Sequence, residues 1–171
     1  MALISSLTKE EAGEIAREIY EGFEEQGKEV PEWVKVMAHR PEILKEFFEL
    51  FKVIMGEGKI EKILKWRIAY TISKTLKCPF CVDVTTKMLK KMGASEEEIK
   101  KAEKIEELTG KEADIIKLVK EVTKEAHISS PNLFEKMKEN FQEEEIVEIV
   151  SIIGLFNYIN RFNNTFGILP Q

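Results

Sequence analysis

The chain has 171 residues, 43% of them hydrophobic and 33% charged, with a net charge of −5. That length fits one domain able to bury roughly two-thirds of its unfolded surface, and the composition is not that of a disordered chain. Charges are interleaved, as in Lys100 and Lys101 beside Glu96, Glu97 and Glu98, so no concentrated basic surface is available for nucleic acid or an anionic membrane.

Met1 to Glu11 shows no basic start, long apolar core or small-residue cleavage site, which predicts no secretory signal, a cytoplasmic location and cysteines reduced at rest. Thr8 and Glu11 have capping-box spacing for a first helix running to about Gln26, with Ile15, Ile19 and Phe23 on one face and Gly27 ending it. Pro31 suits the first position of a short helix carrying Trp33, Val36 and Met37. Pro41 opens a third helix whose stripe is Leu44, Phe47, Phe48 and Phe51, ended by Gly56 and Gly58.

Residues Ile60 to about Leu76 form the fourth predicted helix, with Ile60, Ile63, Leu64, Arg67, Ile68 and Thr71 at helical spacing. Pro79 implies a new helix starting at Cys78 and stopping at Gly93. Ser95 and Glu98 make a second capping box, for a helix ending near Thr109 and Gly110. Glu112 to His127 follows, then a short segment from Ser130 and Pro131, then a helix from about Glu143 to Asn164. The longest apolar run, Ile146 to Ile159, carries Glu148, Ser151 and Asn157, so it reads as a buried helix and not a membrane span. The expected fold is an all-α single-domain helical bundle over 1–171.

The chemistry concentrates in Lys77-Cys78-Pro79-Phe80-Cys81, which holds both cysteines of the chain. Sulfurs spaced i, i+3 across a helix start lie within bridging range. Pro79 at the first helical position leaves Cys78 at the N-cap and Cys81 on the first turn, where free backbone N–H groups and the macrodipole favor a thiolate. Such settings bring a cysteine pKa from about 8.5 into the range of roughly 3.5–7.5. A zinc site would need two further ligands, and only His39, His127 and carboxylates could supply them. A thioredoxin-type fold would need a strand before the motif, and two buried structural cysteines would need no chemistry at all.

The run Trp66 to Ser73, the Cys78-Pro79-Phe80-Cys81 motif and Met92-Gly93-Ala94-Ser95 with Ile99 resemble the carboxymuconolactone decarboxylase and alkylhydroperoxidase D superfamily. Ala38 to Glu42 with Gly56 to Gly58 upstream, and Ile152 to Asn157 with Asn160 to Phe162 downstream, resemble its peroxidase-related branch. The resemblance implies an all-helical protein assembling as trimers or hexamers. It also implies thiol-dependent reduction of peroxides or disulfides without a bound cofactor, fed by a protein or small-molecule dithiol. By that likeness Cys81 attacks peroxide and Cys78 closes the disulfide.

Active members carry a histidine four residues after the second cysteine and a glutamate twelve before the first. Here those positions hold Thr85 and Trp66, neither of which can exchange a proton near neutral pH. The expectation is a thiol–disulfide oxidoreductase or peroxidase-related antioxidant protein with weak peroxidase activity. The alternatives are a non-catalytic oligomeric or redox-sensing member and a cofactor-free lactone decarboxylase. Asp83 falls on another helix face. His39 and His127 read as caps of helix ends, and Arg67 needs an ionic partner if buried. Asn157, Asn160 and Asn164 share a face suited to bonding across an interface.

Overall fold

Prolines and glycines punctuate the chain, and the helices fall between them. The structure is a computed structural model that describes residues 2–101, 108–128 and 130–170. In chain order the helices are α1 (Glu14–Glu25), α2 (Glu32–Met37), α3 (Pro41–Met55), α4 (Lys62–Thr75), α5 (Pro79–Lys91), α6 (Glu96–Lys101), α7 (Gly110–Glu125), α8 (Leu133–Asn140) and α9 (Glu143–Phe166). No strand occurs among the described residues, so the fold is all-α and the thioredoxin alternative falls. None of the described helices is long and apolar enough to cross a membrane.

The capping expectations resolve in two ways. Ser95 and Glu98 cap α6 reciprocally, with Ser95 N–H on the Glu98 carboxylate at 2.8 Å and Glu98 N–H on Ser95 Oγ at 3.2 Å. The predicted continuation of that helix over 102–107 lies outside the described residues. Thr8 and Glu11 also bond reciprocally, but they close a separate turn, and α1 begins only at Glu14 with Gly13 as its cap. Pro31 is the N-cap of α2 instead of its first residue, and Ile60 lies outside α4.

Helix α4 is the hub, packed against α5, α7 and α9. The expected one-sided stripe is corrected here. Lys65, Trp66, Ile68, Ala69, Tyr70, Thr71, Ile72 and Ser73 are all buried, while Ile63, Leu64 and Arg67 are only half-buried. A helix enclosed on several sides shows no clear amphipathic period. Its hydroxyls turn inward on the helix itself: Thr71 donates to the Arg67 carbonyl at 2.9 Å and Ser73 to the Ala69 carbonyl at 2.8 Å. From α9 the run Ile149, Ile152, Ile153 and Phe156 is buried in the same core.

A charged clamp joins α4, α9 and the α3–α4 loop. Lys65, with no exposed surface, donates to the carbonyls of Ile54 and Gly56, each at 2.8 Å, and pairs with Glu148. The Glu148 carboxylate also accepts Lys59 N–H at 2.7 Å and Ile60 N–H at 3.3 Å. A Cβ at Gly58 would overlap that carboxylate, so glycine is what lets the loop approach it.

Candidate functional site

The site starts where α4 stops. Cys78 N–H bonds the Ser73 carbonyl at 3.1 Å and Lys77 N–H bonds the Lys74 carbonyl at 3.2 Å, the pairing of a Schellman motif. Lys77 takes the left-handed conformation there, with φ of 52°, at a position where glycine is usual. The turn delivers Cys78 directly to the N-cap of α5, with Pro79 beginning the helix. One residue thus ends one helix's capping pattern and starts the next.

The two sulfurs lie 2.8 Å apart, and Cys81 N–H points at Cys78 Sγ from 3.4 Å. Cys78 is fully buried and Cys81 is 5% exposed. The Cys81 thiol hydrogen bond holds Cys78 below the ordinary thiol value; burial opposes it, and the backbone N–H groups of Cys81 and Phe80 add to it. The same bond, burial and the negative charge of Cys78 push Cys81 far upward, against a hydrogen bond from Asn163. Of the two sulfurs Cys78 is therefore the more readily ionised, and Cys81 is the one that keeps its proton.

Cys81 is the sulfur that faces space. It lines a half-enclosed cavity of about 130 Å³ whose walls include Trp33, Phe47, Phe48, Phe51, Phe80 and Phe156. Trp66, Thr85 and Asn163 also line it. Thr85 and Trp66, the two positions at which the family resemblance leads one to expect relay residues, thus both line this cavity. Thr85 sits one turn beyond Cys81 with its hydroxyl committed to the Cys81 and Val82 carbonyls, at 2.8 and 3.2 Å. Trp66 packs edge-on against Phe156, with ring centroids 6.1 Å apart. Asp83 points elsewhere and pairs with Lys87 at 2.6 Å.

Asn163 is the site residue that the sequence reading missed. It is fully buried and donates from Nδ2 to Cys81 Sγ at 3.3 Å. The signal was its place on α9, in register with Ile152, Phe156 and Ile159, where a polar residue on an apolar stripe needs a reason. The other asparagines bond within the chain: Asn157 to the Ile153 carbonyl at 2.9 Å, Asn160 to Phe156 at 2.7 Å and Asn164 to Leu76 at 2.9 Å. Arg67 finds Glu112 at 2.9 Å. His127 meets the Glu125 carbonyl at the end of α7, 2.7 Å away. His39 instead donates to the Ser5 carbonyl at 2.9 Å, tying down the N-terminal segment; its expected capping role is corrected. Among the described residues no three His, Cys, Asp or Glu side chains converge as a metal-binding group.

Residues 41–121, spanning α3 to α7, match the model of the carboxymuconolactone decarboxylase family. No curated protein matches the chain. Among solved structures, the alkylhydroperoxidase AhpD core of an uncharacterized peroxidase-related protein from Ralstonia eutropha JMP134 superposes with a TM-score of 0.86 at 20% identity, covering 99% of this chain and 92% of that one. The apo debrominase Bmp8 gives 0.82 at 20% identity, covering 99% and 92%, and its cysteine-to-alanine variant was solved with 2,3,4-tribromopyrrole. A protein of unknown function from Agrobacterium tumefaciens, described as a candidate antioxidant defence protein AhpD, gives 0.72 at 28% identity over 80% of this chain and 95% of its own.

Proposed function

We propose, from the match of residues 41–121 to the carboxymuconolactone decarboxylase family and a fold shared with the AhpD-like structures, that this chain is a single-domain thiol–disulfide oxidoreductase of the peroxidase-related kind, cycling Cys78 and Cys81 between dithiol and disulfide. One observation carries the reading: two sulfurs 2.8 Å apart, of which only Cys81 lines an apolar cavity. Cys81 is then the attacking sulfur, and Cys78 is both its base and its resolving partner. With a hydroperoxide, the Cys81 proton passes to Cys78 as Cys81 sulfur attacks the peroxide oxygen. The O–O bond breaks, Cys81 becomes a sulfenic acid, and the departing alkoxide takes the proton from Cys78. Cys78 sulfur then attacks Cys81 sulfur, the S–S bond forms, and hydroxide leaves to become water with a solvent proton. An external dithiol returns the pair to its reduced state.

Neither Thr85 nor Trp66 can assist these proton transfers, so turnover of peroxide is slow. We place the protein in the cytoplasm as a homo-oligomer, a trimer or hexamer by family likeness. Exposed apolar surface supports assembly: Ile43 and Leu50 of α3 line one open groove with Tyr158 of α9, and Val53, Val147 and Val150 are exposed as well. Apolar patches of this kind mark association surfaces. Light scattering that returned a mass near 19.8 kDa at micromolar concentration would remove that part of the reading.

The dithiol is tested by mild oxidation followed by alkylation and mass spectrometry. The expected result is a two-proton mass loss confined to the peptide holding both cysteines, with hydroperoxide turnover abolished in Cys78→Ser and in Cys81→Ser. The alkylation rate of the reduced pair should rise with pH at lower values than for a free thiol, because Cys78 is held below the ordinary range. Thiols that resist both diamide and alkylation would mean two structural cysteines instead.

A second reading has one observation behind it, the aromatic walls of the cavity. The same dithiol could reductively dehalogenate a small ring: the C–Br bond breaks, the ring carbon gains hydrogen, and bromide and a proton leave as the disulfide forms. Bromide release from a brominated pyrrole under a dithiol reductant distinguishes the two.

A further inference from the structure

Among the described residues three buried side-chain atoms have no hydrogen-bond partner, Trp66 Nε1, Asn160 Oδ1 and Asn163 Oδ1, and the first and last, a donor and an acceptor, belong to side chains that line the same cavity. Trp66 is 6% exposed and Asn163 not at all, so solvent does not serve either atom. An unmade hydrogen bond at a buried polar group costs about 1–3 kcal/mol, and native structures keep few of them. Two opposite orphans around one apolar space are complementary to a single missing group that both accepts and donates.

The rest of the lining fixes the other properties of that group's carrier. The volume of about 130 Å³ is close to the roughly 150 Å³ of an apolar cavity that binds benzene. Aromatic walls, namely Trp33, Phe47, Phe51, Phe80 and Phe156, favor a flat or compact apolar body through edge and offset contacts. No Lys, Arg or His lines the space. An anion would enter without a counter-charge, which is prohibitive in an apolar site.

We propose that the cavity at Cys81 binds a neutral organic molecule of single-ring size carrying a hydroxyl-like group, which accepts a hydrogen bond from Trp66 Nε1 and donates one to Asn163 Oδ1. The site that results sets specificity by the pair Trp66 and Asn163 and brings the polar end of the ligand against Cys81 Sγ, where Asn163 Nδ2 already bonds. This inference rests on the dithiol reading for its claim that the cavity is the substrate site. Its claim of binding is separate. Trp66 thereby acquires a role that its indole can perform, donation without proton release.

The test is calorimetric titration of the reduced full-length protein, without oxygen, using three unreactive probes: phenol, toluene and benzoate. A cavity lacking the polar pair ranks toluene above phenol, because burying an unpaired hydroxyl costs free energy. The proposed site inverts that order, with phenol about tenfold tighter than toluene, or about 1.4 kcal/mol, and no benzoate binding. Trp66→Phe and Asn163→Leu, each checked for a cooperative melt, should both return the ranking to toluene. Toluene binding as tightly as phenol to the wild type would overturn the proposal, and so would the absence of binding by both. Phenol preference surviving in both variants would also overturn it. None of these outcomes touches the dithiol, whose failure shows only in the oxidation and alkylation experiment.

Discussion

Lys65 and Trp66 are neighbors on α4, yet they serve two regions built on opposite rules. Around Lys65 every buried polar group is paired: its ammonium has two carbonyls and a carboxylate, and Glu148 has that ammonium and two backbone N–H groups. Around Trp66 the walls are apolar, and the few polar atoms, Trp66 Nε1 and Asn163 Oδ1, are left open beside two thiols. A fully satisfied buried network holds the loop and helices in register. An unsatisfied one of the same depth holds a place for something else. The comparison separates a structural end of the α4–α9 interface from the end we propose to be functional.

The widest gap between the two ends should appear in stability. Glu148→Ala strands a fully buried ammonium and two loop N–H groups, and removing one member of a buried pair costs about 3–5 kcal/mol. Trp66→Phe removes only an unpartnered donor, and Asn163→Leu removes an unpartnered acceptor together with one bond from Nδ2 to Cys81 Sγ, so each should cost well under half of that in urea unfolding. The clamp also has a pH signature. Burial raises the Glu148 carboxyl, but the bonds from Lys65, Lys59 and Ile60 outweigh it and leave the carboxyl below its ordinary value. Its stabilization is therefore complete above the ordinary glutamate range and disappears as pH falls through the lowered native value. Glu148→Ala should lose that acid-side slope. Equal losses for all three substitutions would erase the distinction between the ends.

The functional end was the more legible one, because its signal is local. Cysteines three apart with Pro79 between them define their own geometry, and the helix start they predict is the one observed. Thr85 and Trp66 reach the same cavity, as the likeness of the motif implies. The clamp was invisible for the opposite reason: Lys65 and Glu148 are far apart in sequence, each looks like one more charge on a solvated face, and only tertiary packing joins them. Arg67 showed the intermediate case, since its need for a partner was readable but Glu112 was not. Asn163 lies off the face shared by Asn157, Asn160 and Asn164, and because α9 continues to Phe166 it stays in register with the core. Its contact to Cys81 joins residues 82 apart in the sequence, beyond any local pattern.

A second way to sharpen the contrast is to give the dithiol end an acid–base group besides Cys78. General acid–base assistance is worth about 10²–10⁴-fold. Thr85→His, with its side chain one turn beyond Cys81, should recover part of that in hydroperoxide turnover with an artificial dithiol reductant. Adding Trp66→Glu should recover more, provided the double variant still melts cooperatively after losing the indole. The expected rise is at least tenfold for the single change and larger for the pair. A wild type already as fast as relay-bearing relatives would mean another base is at work. A folded double variant with no gain would mean that position 85 does not serve Cys81 in solution.

The smallest expected effect lies at the hinge between the two helices of the site. Lys77 holds φ of 52°, a conformation that costs a non-glycine residue about 1–2 kcal/mol, while its N–H and that of Cys78 close the end of α4. The nearby helix ends at α1, α5 and α9 make the same kind of turn with Gly27, Gly93 and Gly167, all at positive φ. Lys77→Gly keeps the turn and removes the clash of Cβ with the backbone, but a glycine also gives the unfolded chain more freedom to lose. The balance should be a gain of about 0.5–1 kcal/mol in urea unfolding, with the alkylation profile of the dithiol unchanged because Cys78 keeps its position. If stability rises and the thiol profile shifts together, Lys77 tunes the cysteine as well as spacing it, through its charge near the Cys78 thiolate. If stability falls, the left-handed turn is not strained, and the functional end of the interface stores no backbone energy that its structural end lacks.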